Sequence, residues 1–97
     1  MVRLEVRPEA ELDVLHAASW YDRGWEGLGS EFVNELRATF ARIEAGPLRF
    51  PLVFGNFRRA LLHRFPFGVF FVVEEDRATV LAVMHLHRDP NAWQKRA

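Results

Sequence analysis

Ninety-seven residues with 49% hydrophobic and 13% aromatic side chains can fill one core but not two, so a single domain over residues 1–97 is expected. Thirteen basic and thirteen acidic residues give a formal net charge of zero, which argues against attachment to nucleic acid through bulk positive charge. The absence of cysteine excludes a disulfide framework, a thiol nucleophile and a thiolate metal site.

The chain opens with Val2, Leu4 and Val6 alternating with Arg3, Glu5 and Arg7, the pattern of a short half-buried strand. Pro8 suits the first position of a helix, and Glu9 and Glu11 complement the positive end of its dipole. Ala10, Val14, Ala17, Ala18 and Tyr21 fall on one side at helical spacing, with Leu12 and Leu15 expected to widen that stripe. Gly24, Gly27 and Gly29 break the pattern near Asp22. Ser30 is a candidate N-cap for a second helix over about Glu31–Ala45. Phe32, Leu36, Phe40 and Ile43 make its buried stripe, and Gly46-Pro47 stops it. Two helices joined by a short glycine-rich turn predict an antiparallel hairpin.

From Phe57 the period changes to two. Strands are expected over Phe57–Arg64, Phe67–Val73 and Thr79–Leu86, with turns at Pro66 and at Glu74-Glu75-Asp76. Asp89-Pro90 begins a short helical tail through Trp93. The order is βααβββ: an α+β fold with a helical hairpin packed on a small antiparallel sheet, closed by a helical stub.

Charge is unevenly distributed. Residues 1–46 carry five Arg against nine Asp/Glu, while residues 47–97 carry eight Lys/Arg against four Asp/Glu. A positive second half points to an acidic partner or to internal neutralisation of the two halves. No apolar run approaches the ~20 residues of a membrane-spanning helix. The first residues lack the apolar stretch of a signal peptide, so a cytoplasmic protein without membrane attachment is expected.

The basic residues that could act chemically lie on the meander. Alternation puts Arg58, Ala60, Leu62 and Arg64 on one face of the first meander strand and Arg59, Leu61 and His63 on the other. It likewise groups Thr79, Leu81, Val83, His85 and His87 opposite Met84, Leu86 and Arg88. Such a cluster suits phosphate, a developing anion or an acidic peptide. His85-x-His87 is half of a metal site without a third ligand at suitable spacing, so no metal and no cofactor are expected. Ser19 and Ser30 lack a nucleophile-elbow pattern. Trp20, Trp25, Phe50 and Phe54 lie in or near loops, where an aromatic either docks a partner or packs beneath a helix end.

The segment Phe57–Phe71, followed by Val83-Met84-His85-Leu86-His87-Arg88-Asp89-Pro90 and Trp93, resembles the RelE/ParE toxin superfamily, particularly its plasmid-stabilisation branch. The resemblance covers nearly the whole chain. It implies the toxin of a type II toxin–antitoxin pair that inhibits growth and is neutralised by a cognate antitoxin. ParE-like members inhibit DNA gyrase, whereas RelE-like members cleave messenger RNA on the ribosome.

The chain departs from the nuclease pattern. Arg59 lacks a basic companion at Leu61, Gly68 replaces the arginine of the next strand, and Trp93 replaces a tyrosine. The resemblance therefore favours a ParE-like inhibitor over an endoribonuclease, with a non-toxic member that retains antitoxin binding as a third reading. If the chain is a nuclease, Arg59, Arg64, His85 and Arg88 are the catalytic candidates. Arg58 and Trp93 are candidates for partner binding.

Overall fold

The computed structural model describes residues 1–97. Its elements are β1 (Arg3–Val6), α1 (Pro8–Gly24), α2 (Leu28–Ala45), β2 (Leu52–Phe54), β3 (Phe57–Leu61), β4 (Phe67–Glu74), β5 (Arg77–His85) and α3 (Asn91–Gln94), with a 3-10 turn at Pro47–Arg49. The strands form one sheet in the order β1-β5-β4-β3-β2. β2 to β5 pair antiparallel, whereas β1 lies parallel to β5. The expected meander and hairpin are present; β2 is a fifth strand beyond the four of βααβββ, and the parallel β1 makes the sheet mixed instead of antiparallel. A parallel partner for β1 follows from geometry, since the hairpin returns the chain to the same end of the sheet before the meander starts.

Apolar periodicity divides the molecule into two packed layers. Phe32, Leu36 and Ile43 of α2 join Ala10 and Ala17 of α1 against Val69, Phe71, Ala78, Val80 and Val83 on one sheet face. Phe57, Phe70, Ala82, Met84 and Trp93 form a smaller cluster on the other face. Leu12 and Leu15 do not widen the buried stripe; they are 54% and 62% exposed. At 100° per residue both point well away from the direction shared by Ala10, Ala17 and Tyr21.

The hairpin turn corrects the expected cap. α2 begins at Leu28 after Gly27, whose φ of 86° is open to glycine, and Ser30 lies inside the helix. The capping group comes from the preceding helix instead: Gly29 N–H donates to Asp22 Oδ1 at 2.7 Å. Gly29 is required where the helices meet, because a Cβ there would collide with the Ala18 carbonyl and lie 2.8 Å from Asp22 Oδ2.

Three other details position the sites. The first meander strand ends at Leu61 instead of Arg64, because Glu35 of α2 accepts the backbone N–H groups of His63 and Arg64. Those groups are thereby removed from the strand ladder. The last strand runs from Arg77 to His85. Strand β2 has three residues, follows Pro51 and has an irregular register against β3, so it blunts that edge of the sheet. No helix is long and apolar enough to cross a membrane.

Candidate functional site

A bulge decides which residues of the last strand share a face. Phe70 pairs with Ala82 while Phe71 pairs with Val80, leaving Leu81 as the extra residue. Val80 and Val83, three apart, consequently both face the helices. Thr79 therefore faces away from them, and the expected grouping of Thr79 with Val83 and His85 does not form. Beyond the bulge the strand has no β1 beside it, and two side chains satisfy its exposed edge. Asp13 Oδ2 of α1 accepts Val83 N–H at 2.9 Å, and Arg96 Nη1 donates to Leu81 O at 3.0 Å. The same two side chains pair with each other at 2.7 and 3.1 Å. Helix, sheet edge and C-terminal tail are thus joined through one ion pair, whose side chains are only 11% and 20% exposed.

Above this uncovered end of β5 lies a cleft of about 590 Å³, with Ala17, Trp20, Tyr21, Phe67, His85 and Arg88 among its walls. Its volume falls in the range of ordinary ligand and side-chain docking sites. His85 packs edge-on against Phe67, ring centroids 5.4 Å apart. His87 lies past the strand end, and its N–H donates to His85 Nδ1 at 3.1 Å. That bond makes Nδ1 the acceptor, so neutral His85 carries its proton on Nε2. Arg88 lines the same cleft as His85, contrary to the alternation read from the sequence, because the ladder stops at His85 and a turn follows. Tyr21 closes the inner wall, and burial raises the pKa of its hydroxyl above the ordinary tyrosine value.

Arg59 lies on the opposite sheet face. Its methylenes pass over Gly68, where a Cβ would approach Arg59 Cγ and Cδ at 3.2 Å and Leu86 at 3.2 Å. Gly68 is therefore the residue that makes room for this arginine. Arg59 Nε is buried without a hydrogen-bond partner. Trp93 stacks on Phe70 at a centroid distance of 4.1 Å and an interplanar angle of 17°, pinning α3 to the same face.

The remaining candidates sit apart from both places. Arg64 Nη2 is bound to Glu31 Oε1 at 2.6 Å, and that hydrogen bond, followed by Glu31's charge, raises the arginine's pKa further. Arg58 faces the helices and donates to the Phe50 carbonyl at 2.7 Å. The structure thus brings His85 and Arg88 together, and separates both from Arg59 by the sheet and from Arg64 by the β3–β4 connection. No three His, Asp or Glu side chains assemble into a metal-binding group.

Asp13, Arg96 and Glu35 belong to no motif in the sequence. A mid-helix aspartate is the one signal among them, since aspartate competes poorly for helix interiors unless its carboxylate is used. Of the four aromatics expected in or near loops, Trp20 lies within α1 and Phe54 ends β2; Trp20, Trp25 and Phe54 are exposed at 63%, 72% and 45%, whereas Phe50 is half-buried.

The same architecture occurs in a solved structure described as the chromosomal ParDE TA system from P. aeruginosa. The similarity has a TM-score of 0.79 at 17% identity and covers 88% of this chain and 96% of that chain. No protein-family model matches the sequence, and no curated protein matches it.

Proposed function

We propose that this chain is the toxin of a type II toxin–antitoxin pair, of ParE-like type, which binds and inhibits DNA gyrase without catalysing a reaction of its own. The observation that carries the reading is the fold, shared over 96% of a chain from a ParDE system. The side-chain geometry supports inhibition by binding. Cleavage of RNA by its own 2′-hydroxyl needs a base, an acid and cations converging on one phosphate. Here Arg59 is on one sheet face, His85 and Arg88 are on the other, and Arg64 is held by Glu31.

The partner in this reading is a cognate antitoxin contributing an acidic segment to the positively charged second half of the chain. His85 and Arg88 at the rim of an apolar cleft suit a carboxylate beside an apolar side chain.

An endoribonuclease is the second reading, and one observation favours it. Arg59 lies half-buried on the sheet face away from the helices and makes no side-chain hydrogen bond or ion pair within the chain, which leaves its guanidinium for an anion such as a phosphate.

Expression of the chain alone should arrest growth, and co-expression of the product of an adjacent small gene should restore it. Unimpeded growth of cells that accumulate folded protein refutes the toxin reading.

A further inference from the structure

The outward face of α1 is complementary to itself. At 100° per residue, Glu9, Leu12, His16, Trp20 and Arg23 all lie within about 40° of the His16 direction. All five are exposed. Read outward from His16, the pattern is the same in both directions in size and opposite in charge. Four residues away stands a large apolar side chain, Leu12 or Trp20; seven residues away stands a charge, Glu9 or Arg23. None of the chain's four salt bridges involves Glu9 or Arg23.

We propose that this face is the interface of a twofold dimer of this chain, with two α1 helices packed antiparallel and His16 on the symmetry axis. An isologous contact requires that residues equidistant from the axis complement one another. Glu9 then lies level with Arg23 of the second copy and Leu12 with its Trp20, each contact occurring twice. A uniformly acidic partner helix would set like charge against Glu9, and a uniformly basic one would do so against Arg23. The antiparallel copy satisfies both ends and covers both apolar residues.

The face spans roughly 21 Å at 1.5 Å per residue. Helices so packed lie about 8–10 Å apart. The contact is at the small end of specific interfaces, so the dimer dissociates on dilution.

The association state is measured on purified protein whatever the protein's target, although His16 and Trp20 also line the cleft beside His85, so the second copy and an antitoxin side chain in that cleft would compete for them. Sedimentation velocity over a concentration series at low salt tests it. Either Glu9→Arg or Arg23→Glu alone turns two attractions into two repulsions and should weaken the dimer roughly thirty-fold. The double variant re-forms both pairs with the charges exchanged and should restore the original association.

A second test uses the absence of cysteine from the chain. His16→Cys places two thiols across the axis and should give a disulfide dimer under mild oxidation, whereas Asn91→Cys on the tail should not. Three results would each overturn the proposal. The first is a monomer at every concentration. The second is a dimer that either single reversal leaves intact, or a double variant as weak as the singles while circular dichroism shows the native fold. The third is cross-linking at position 91 in preference to 16.

Discussion

Removing the carboxylate of Asp13 should loosen three elements at once. In Asp13→Ala, Arg96 loses its two contacts at 2.7 and 3.1 Å, and Val83 N–H loses its acceptor at 2.9 Å. Fully buried pairs cost about 3–5 kcal/mol to break from one side. The residual exposure of 11% and 20% lowers that figure, so a loss of about 2–3 kcal/mol is expected, with charge-assisted bonds contributing most of it. In a domain of this size the change corresponds to a fall in Tm of roughly 10–20 °C.

Chemical denaturation of Asp13→Ala, Arg96→Ala and the double variant measures the interaction directly. The cycle should yield a coupling of about 1.5–2.5 kcal/mol, because either single change leaves the other, largely buried side chain without its countercharge. A coupling below about 0.5 kcal/mol would mean that the pair behaves as an ordinary surface contact. The account of how helix, bulge and tail are joined would then be wrong.

Trp93→Ala should cost about 3–4 kcal/mol by opening the cluster around Phe70. Trp93→Phe, which keeps a stacked ring, should cost about 1 kcal/mol; thermal unfolding of both variants separates stacking from simple volume. Tyr21 is the only tyrosine, so absorbance of the phenolate reports one residue. Burial raises its pKa in the folded protein, so the native midpoint should exceed about 10 and return to about 10 in denaturant. Because the folded pKa is the higher one, the associated stability is complete below pH 10 and is lost as pH rises through the folded value. Equal midpoints in both states would show that the ring is not desolvated.

The elements carrying strong periodicity were legible in the sequence. Phe32, Leu36 and Ile43 named the buried side of α2, and the two-residue period after Phe57 named the meander. Local chemistry misled where the deciding group came from elsewhere. Ser30 has the chemistry of a cap, but Asp22 reaches the α2 amides from the end of α1. Arg64 has strand-like neighbours, but Glu35 takes the local backbone amides out of the ladder. The candidate site was less legible, because Leu81 inserts a bulge that no alternation rule anticipates. That one residue reverses the faces of everything before it, relative to His85. Asp13 and Arg96 are 83 residues apart in the chain, and neither has a local pattern that announces the other.

Inhibition by binding is decided by titrating purified protein into a gyrase supercoiling reaction. Supercoiling should fall as the chain approaches equivalence with gyrase, while messenger RNA stays intact in a translating extract given the same protein. Undisturbed supercoiling, together with message cleavage that Arg59→Ala abolishes, would contradict inhibition by binding.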